Sequence, residues 1–300
     1  MSTGILSCAL PLPTNYRPQD ILSFHVRDTL AISESVAANQ LHKGIVWHGS
    51  PACLTIRFLP RAAEIELIID HTPASLEVDK LSALAMRMLG LNQPIDIFED
   101  SVRHHPQLGR MINRQSGLRV LVAPTAFEAL TWAITGQQIS VSAAISIRRK
   151  FIQMVGLRHS SGLYCYPDAQ HVTGLSIDDL RHAGFSHNKA QTLRTVSRMA
   201  VSGELELNNV QKEPPIEHIR QQLLKVRGIG PWTVNYALLR GYGWLDGSLH
   251  GDAAVRRGLQ VLLNPVGAMD ENQTRLWLEN FTPWRSLVAA HLWELVSRGG

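Results

Sequence analysis

Hydrophobic and polar residues alternate in two short runs near the start of the chain, at residues 54–58 and 64–69. Alternation with a period of two is typical of half-buried β-strands, and a turn residue follows each run. Apolar residues at helical spacing flank these runs: Ile21, Leu22 and Val26 on one side, and Leu81, Leu84, Ala85, Met88 and Leu89 on the other. The pattern predicts a small α+β unit over residues 1–101, with a first helix that begins near Pro18.

From residue 102 onward the strand pattern stops, and residues that begin or end helices divide the chain instead. Thr125 followed by Glu128 is a capping-box pattern at the start of an apolar stripe. Other predicted boundaries are set by caps, glycines and prolines: Gly136, Ser140, Ser176, Gly184, Gly203, Pro214–Pro215, Pro231, Gly241 and Pro283. The C-terminal two thirds are therefore predicted to be helical.

Composition limits the class of protein. The 300 residues are 45% hydrophobic and 18% charged, which is typical of a folded chain with two or three packed subdomains. No apolar run reaches the ~20 residues of a membrane span, and the N-terminus lacks the basic and apolar regions of a signal peptide. We therefore expect a cytoplasmic, nucleoid-associated protein with no membrane partner.

Neither the cysteines nor the net charge identifies a site. Cys8, Cys53 and Cys165 lack zinc or iron–sulfur spacing, and three cysteines cannot all pair within the chain. The adjacent His104 and His105 are more typical of an exposed loop than of a ligand set. The net charge of +4 agrees with a polyanionic partner but is common among other proteins too.

The most informative segment is residues 223–236, where Gly228, Gly230 and Pro231 separate two helical patterns. Such glycines also serve simply to end one helix and turn the chain. In a helix–hairpin–helix, however, the unpaired N–H groups of a helix N-terminus converge on one point, and that point suits a DNA phosphate. The contact positions the DNA backbone and reads no base sequence.

Asp252 follows Gly230 by twenty-two residues, and this spacing resembles the Gly/Pro-rich hairpin and aspartate of the helix–hairpin–helix DNA glycosylase superfamily. Within that superfamily, the chain most resembles the bacterial 3-methyladenine DNA glycosylase II group. Four further stretches carry the resemblance in the family order, and together they cover about residues 120–300: 127–140, 184–190, 232–236 and 283–293.

The resemblance implies an α+β protein with a small N-terminal antiparallel sheet of the TBP-like kind, followed by a helical core. We expect an N-terminal domain at residues 1–101, a helical subdomain formed by 102–125 with 245–300, and a second helical subdomain at 126–244 that carries the hairpin. The active-site cleft would lie between the two helical subdomains.

By the same resemblance, Asp252 is the catalytic aspartate. A carboxylate stabilises the oxocarbenium character that develops on the sugar when an N-glycosidic bond breaks, or it activates water. The alternative is that Asp252 only caps a helix. Asp246 is a second candidate, but its register with Trp232 is less favourable.

Trp232, Tyr236 and Trp293 occupy positions that line the base pocket in this family. An alkylated purine is electron-poor or cationic, so an aromatic face attracts it. Each of these rings could equally belong to the core, and Tyr236 could share a buried face with Trp232.

The implied DNA contacts are Gly228, Gly230 and Thr233 of the hairpin, together with basic residues near the motifs. Arg227 stands where the family often has proline, and Arg256 and Arg257 follow Asp252 directly; a solvated helix surface is the alternative for each. Gln138 lies where family members place the side chain that fills the gap left by a flipped nucleotide. It could instead be a loop residue at the start of the next helix.

No cofactor is expected to be required. The family hairpin often holds Na⁺ or K⁺ on main-chain carbonyls, which would belong here to Leu224, Val226 and Gly228. This inference rests on the resemblance alone, since carbonyl ligation leaves no side-chain pattern.

These features predict a monofunctional DNA glycosylase that releases alkylated purines, such as 3-methyladenine and 7-methylguanine, from double-stranded DNA as a monomer. Lyase members carry a lysine near the second hairpin helix, and none occurs between Gly230 and Asp252. The alternatives are a non-catalytic helix–hairpin–helix DNA-binding protein and a glycosylase for oxidised or deaminated purines.

Overall fold

The N-terminal part of the molecule is a five-stranded antiparallel sheet with strand order β1-β5-β4-β3-β2. The computed structural model describes residues 3–71, 77–207, 214–265 and 267–297. The strands are β1 (Gly4–Pro11), β2 (Glu34–Ala37), β3 (Gln40–Trp47), β4 (Ser50–Leu59) and β5 (Ala62–Ile69). The two predicted strands lie within β4 and β5, which pair with Leu54 opposite Leu67.

Strands β1, β2 and β3 were not predicted, and β3 shows why. Its residues Lys43, Gly44 and Ile45 are all buried, so exposure does not alternate along the strand. The first helix, α1 (Pro18–His25), begins at Pro18 as predicted, and Ile21 and Leu22 are buried. The prediction that Val26 shares this face was wrong: α1 ends before it, and Val26 is 56% exposed.

Thirteen further helices follow in the described residues: α2 (Val78–Met88), α3 (Ile95–Val102), α4 (Gly109–Arg114), α5 (Ala126–Gly136), α6 (Val141–Val155), α7 (Ala169–Thr173), α8 (Ile177–His182), α9 (His187–Ser202), α10 (Ile216–Leu224), α11 (Pro231–Tyr242), α12 (Ala253–Leu263), α13 (Glu271–Glu279) and α14 (Arg285–Ser297). The predicted caps hold. Thr125, Ser140 and Ser176 each accept a hydrogen bond from the N–H three residues on. The small N-terminal sheet and the helical core confirm the predicted α+β class.

One predicted helix end was misplaced. Gly241 lies inside α11, and a Cβ there would approach Ala126 of α5 to 3.0 Å, so this glycine allows the two helices to pack closely. Gly243 ends α11 instead, with a left-handed φ of 71°. From the sequence alone, either glycine could end the helix. The packing of α5 against Gly241 shows that Gly241 lies within the helix and that Gly243 ends it.

Three hydrophobic clusters divide the interior. One joins the sheet to α1 and α2. A second occupies the part of the chain from α5 to α11, and a third joins α3 and α4 to α12, α13 and α14. The division into three domains remains a prediction, and the structure adds that Ile95 and Phe98, before residue 102, pack in the third cluster. Among the described residues, no helix has the length and apolar character needed to cross a membrane.

A buried ion cluster fixes the sheet to the helical core. Lys43 on β3 donates to Glu34 on β2 at 2.7 Å and to Glu128 on α5 at 2.8 Å, and Arg148 on α6 lies 3.2 Å from Glu128. Burial raises the pKa of Glu34, but Arg148, Lys43 and His25 together outweigh that effect and hold it well below its ordinary value. The carboxylate is therefore ionised and paired, which is how a protein interior tolerates such charges.

Candidate active site and DNA-binding hairpin

Asp252 lies immediately before α12 and caps it. Its Oδ1 accepts hydrogen bonds from the main-chain N–H groups of Ala254 at 2.8 Å and Val255 at 3.0 Å. The prediction that Asp252 caps a helix is therefore confirmed, and capping does not exclude a second role for its carboxylate. Capping also orients the carboxylate, because it holds one oxygen against the helix and leaves the other facing away.

Two indole rings complete the surroundings of this carboxylate. Trp293 on α14 donates its Nε1–H to Oδ1 at 3.1 Å, and Trp232 on α11 donates its Nε1–H to Oδ2 at 3.0 Å. Oδ1 thus accepts three hydrogen bonds and Oδ2 only one. Since a carboxylate oxygen has about two lone-pair sites, Oδ2 retains acceptor capacity for a further partner.

The alternative aspartate has a different partner. Asp246 binds Arg285 through two hydrogen bonds, at 2.8 and 3.0 Å, and this fork-to-fork pair ties the loop after α11 to the first residue of α14. Asp252, by contrast, contacts only uncharged N–H donors among the described hydrogen bonds. Its charge is therefore not neutralised by a cationic side chain.

The three aromatic residues predicted for the base pocket form one cluster. The ring centroids of Trp232 and Tyr236 are 5.3 Å apart, and those of Tyr236 and Trp293 are 6.0 Å apart. All three side chains are half-buried, so they are neither pure core nor free surface. The Tyr236 hydroxyl also accepts a hydrogen bond from the indole of Trp132 at 3.1 Å.

Sequence reasoning missed two residues beside this cluster, Phe24 and Arg240. The Arg240 guanidinium lies 5.3 Å from the Trp293 ring centre, 5.9 Å from that of Tyr236 and 5.2 Å from that of Phe24. It therefore joins a ring of the N-terminal unit to the pocket. Phe24 and Tyr236 are more than two hundred residues apart in the chain, and no local pattern connects them.

The hairpin between α10 and α11 has the conformation that its glycines predict. Gly228 has a φ of +91°, and a Cβ there would lie 2.3 Å from the hydroxyl oxygen of Thr192, so only glycine fits. Gly230 precedes α11, and a Cβ there would meet open space. Within the described part of the chain, the N–H groups of Gly228, Gly230 and Trp232 have no acceptor, which suits an anion.

The side chain of Thr233 is not available to DNA. It is 2% exposed, and its hydroxyl accepts a hydrogen bond from the side-chain amide of Gln137 at 2.8 Å. Any contact of Thr233 with a phosphate must therefore use its main-chain N–H. Gln137 also donates to the carbonyl of Gly228 at 2.9 Å, so it links the loop after α5 to the hairpin.

Gln138 is exposed at the tip of that loop, with a φ of +56°. Lys189 on α9 holds the loop from the other side, because its Nζ donates to the carbonyls of Thr135 at 2.8 Å and Gln137 at 2.7 Å. Burial lowers the pKa of Lys189. The chain just before Gln138 is thus held by Lys189 on one side and by the hairpin on the other, and Gln138 itself is exposed.

The predicted arginines fall into two groups. Arg227 and Arg257 are exposed. Arg256 is half-buried, and its guanidinium donates to the carbonyl of Gly251 at 3.0 Å, so it stabilises the turn before Asp252.

The carbonyl groups predicted to hold a cation remain compatible with that role. The Val226 carbonyl accepts a hydrogen bond from the Ile229 N–H at 3.1 Å, and the Gly228 carbonyl accepts one from Gln137. Each oxygen keeps a second lone pair. Leu224 is the last residue of α10, where carbonyls lack helical partners.

A family model described as HhH-GPD superfamily base excision DNA repair protein matches residues 131–283, just over half of the chain. The chain belongs to the HhH-GPD superfamily. The matched region contains the hairpin, Asp252 and the whole of α11, and the predicted superfamily is thereby confirmed.

Two curated bacterial relatives align with about two thirds of the chain. DNA-3-methyladenine glycosylase of Bacillus subtilis strain 168 is 27% identical over 69% of this chain and 69% of its own length. DNA-3-methyladenine glycosylase 2 of Escherichia coli K12 is 29% identical over 62% of this chain and 63% of its own length. The alignment with each relative thus leaves about a third of that relative outside.

The fold is similar along almost the whole chain to a solved structure, the 3-methyladenine DNA-glycosylase from Archaeoglobus fulgidus. The TM-score is 0.80 at 21% identity, and the match covers 96% of this chain and 97% of the other. This likeness extends the shared fold to the N-terminal sheet, which the family model does not include.

Proposed function

We propose that this protein is a monofunctional DNA glycosylase of base excision repair, which flips an alkylated purine out of duplex DNA and hydrolyses its bond to the sugar. One observation carries the proposal: the Asp252 carboxylate is held by two indole N–H groups beside an aromatic cluster, in a chain of the HhH-GPD superfamily. The curated relatives are named for 3-methyladenine, and the proposal extends to 7-methylguanine and similar alkylated purines.

The aromatic cluster accounts for the choice of base. The rings of Trp232, Tyr236 and Trp293 offer faces for stacking, and alkylation makes a purine electron-poor or cationic. A weakened, damaged base pair also resists flipping least, so selection begins before the base enters the pocket. Discrimination then needs no dedicated set of hydrogen bonds to the base.

Asp252 supplies the chemistry. As the bond to the purine lengthens, positive charge develops on the sugar ring, and a carboxylate fixed in advance stabilises it without reorganisation. Oδ1 is occupied by three donors, so Oδ2 is the oxygen available to the sugar or to the attacking water. The two indoles hold the carboxylate in place through this step.

Water is the proposed nucleophile. No lysine occurs between Gly230 and Asp252, and Lys189 donates to two main-chain carbonyls. A Schiff base with the sugar would require a free amine beside the aspartate. The products are therefore a free base and an intact abasic site.

The hairpin and the loop at Gln138 hold the DNA in this proposal. The free N–H groups of Gly228 and Gly230 bind a backbone phosphate, and exposed Arg227 and Arg257 add charge near it. Gln138 fills the space that the flipped nucleotide leaves. One copy of the chain is sufficient, and we infer that the protein works as a monomer at the nucleoid.

A monovalent cation on the carbonyls of Leu224, Val226 and Gly228 fits this arrangement. Bound there, Na⁺ or K⁺ would stiffen the hairpin and add positive charge near the phosphate. The proposed hydrolysis itself uses no cofactor.

The proposal is tested by incubating the protein with methylated duplex DNA and measuring free methylpurines and strand breaks separately. We expect base release with no breaks until alkali is added. In a matched Asp252→Asn variant, release should fall by at least roughly a hundredfold, in line with the usual contribution of such a group.

Asparagine also caps helices well, so the Asp252→Asn variant should fold. Its melting temperature and duplex affinity serve as controls. A folded, DNA-binding wild type that releases no base from methylated, deaminated or etheno-modified DNA would instead establish a non-catalytic binding protein. Breaks formed without alkali would establish a lyase.

A further inference from the structure

An open groove of about 490 Å³ lies beside the hairpin, between α9 and the start of α8. Its polar lining consists of arginine, amide and hydroxyl side chains: Asn188, Gln191, Thr192, Thr195, Arg194, Arg198 and Arg227. No aspartate or glutamate is among the described residues that line it. This composition is that of a surface for an anion rather than for an apolar ligand.

The three arginines have no acceptor for their guanidinium groups in the described part of the molecule, neither a carboxylate nor a carbonyl. Elsewhere, arginines such as Arg148, Arg220 and Arg285 pair with acidic side chains. Arg194 is half-buried, and its Nε is a buried nitrogen without a hydrogen-bond partner. A buried donor left unpaired costs stability unless a ligand supplies the acceptor.

The groove is continuous with the hairpin. The Thr192 hydroxyl on α9 donates to the carbonyl of Arg227 at 2.9 Å and lies against Gly228. Arg194 and Arg198 are one helical turn apart, on the same side of α9. Arg198 is six residues beyond Thr192, which at 1.5 Å per residue places it roughly 9 Å along the helix from the hairpin.

We propose that this groove is a second phosphate-binding site, in which Arg194, Arg198 and Arg227 hold the DNA strand as it continues past the hairpin. Duplex DNA carries one charge per ~1.7 Å of its axis, so a surface of this length faces more than one phosphate. The planar guanidinium binds phosphate oxygens in pairs and reads no base. The site would therefore add affinity and register without adding sequence preference.

This inference rests on the proposed function, because it needs duplex DNA on the hairpin. It differs from the hairpin site in its chemistry. The hairpin offers uncharged main-chain N–H groups, whereas the groove offers full positive charges, and only charges displace counterions from DNA. Salt dependence therefore separates the two sites.

The test compares wild type with Arg198→Ala, Arg194→Gln and the double variant, by measuring the dissociation constant for an undamaged duplex between 50 and 200 mM salt. Each lost phosphate contact should make the slope of log affinity against log salt less negative by ~0.9, which is roughly a threefold smaller loss of affinity over that range. The double variant should make it less negative by ~1.8. Arg61→Ala removes an exposed arginine from the turn between β4 and β5 and should leave the slope unchanged.

Duplex length gives a second readout. With a second duplex that contains one damaged base, shortening one flank of that base should abolish the difference in affinity between wild type and Arg198→Ala, and shortening the other flank should preserve it.

Slopes for the double variant that equal those of wild type and Arg61→Ala would overturn the proposal, as would a difference that survives truncation of both flanks. The failure of the proposed function is distinguishable. If the variants show the predicted slopes but wild type releases no base, the groove proposal stands and the proposed catalytic function is wrong. If wild type releases bases but the variants have the same slope as wild type, the catalytic function stands and the groove proposal is wrong.

Discussion

The pocket at Asp252 and the hairpin at Gly228 are neighbours that present different chemical groups. The pocket presents side chains: a carboxylate, two indole N–H groups and a phenol ring. The hairpin presents main-chain N–H groups, whose direction depends on the φ of Gly228. Trp232 belongs to both, since its main-chain N–H lies in the hairpin and its indole binds Asp252.

The difference teaches that the two regions fail in different ways. Changing a pocket side chain removes one functional group and leaves the backbone intact. Changing a hairpin residue matters only where it alters the backbone. Substitutions in the pocket should therefore lower the rate of base release at unchanged duplex affinity, and substitutions in the hairpin should lower affinity for all duplexes.

The largest effect is expected from replacing Trp232 and Trp293 together by phenylalanine. The rings remain, but both N–H donors to Asp252 are lost. Hydrogen bonds to a charged group contribute about 1.5–3 kcal/mol each, so single-turnover release should fall by roughly a hundredfold or more.

The matched control for the double variant is Trp277→Phe, which removes an indole hydrogen bond to Gln107 away from the pocket. It should release bases at the wild-type rate. A double variant that loses duplex affinity instead of rate would show that the pocket and the hairpin are not separable.

Gly228→Ala should have the next largest effect. Alanine must adopt a left-handed φ of +91° and place its Cβ against Thr192, so the hairpin has to shift. Backbone strain of this kind costs about 1–3 kcal/mol, which predicts roughly tenfold weaker binding to damaged and undamaged duplexes alike. Fluorescence anisotropy measures both.

Gly203→Ala separates strain from position. Gly203 also has a left-handed φ, +82°, but nothing lies near its Cβ position, and it ends α9 away from the hairpin. Alanine there should lower stability and leave DNA affinity unchanged. Equal losses of affinity in both variants would mean that the Gly228 effect reflects stability alone.

The contrast between side chain and backbone also explains what could be predicted from the sequence. Asp252, Trp232 and Trp293 are distinctive residue types at family spacing, so their assembly around one carboxylate could be anticipated. Gln137 was overlooked, although it bonds to both Gly228 and Thr233. Its role depends on α5 and α11 packing side by side, and no pattern within a single helix contains that information.

Thr233 and Arg256 are residues that the sequence predicted as DNA contacts but whose side chains bind other parts of the protein. Both residue types commonly bind phosphate, which supported the prediction of DNA contacts. In the structure, Thr233 faces Gln137, and Arg256 braces Gly251. A side chain's direction is set by the neighbours it meets after folding, and composition does not reveal it.

Gln137→Met should lower duplex affinity by less than Gly228→Ala does. Methionine has a similar length but loses the hydrogen bonds to Gly228 and Thr233, each of which contributes about 1 kcal/mol. Duplex affinity should fall by roughly fivefold. Gln170→Met, at an exposed position on α7, serves as the control and should have no effect.

The smallest effect on base release at neutral pH is expected from His291→Phe. The variant loses the buried hydrogen bond between His291 Nδ1 and Gln115 Oε1 at 2.7 Å, which lowers stability at every pH, and it also changes how stability responds to acid. His291 on α14 is fully buried, and burial, with a smaller contribution from Arg17, lowers its pKa to about 3. The unfolded chain binds a proton on this ring near pH 6.5, whereas the folded chain does not. Its stabilising contribution is therefore complete above pH 6.5 and declines as the pH falls toward 3.

Phenylalanine has a similar ring and no titration, so the variant should lose less stability on acidification. Urea unfolding at pH 7, 6, 5 and 4 should give a slope of unfolding free energy against pH that is smaller than that of wild type by about 1 kcal/mol per pH unit. Residues 224–233 of the hairpin contain no histidine or carboxylate. Equal slopes in the two proteins would mean that the folded protein tolerates a protonated His291 on α14. The acid sensitivity of wild type would then arise from other groups.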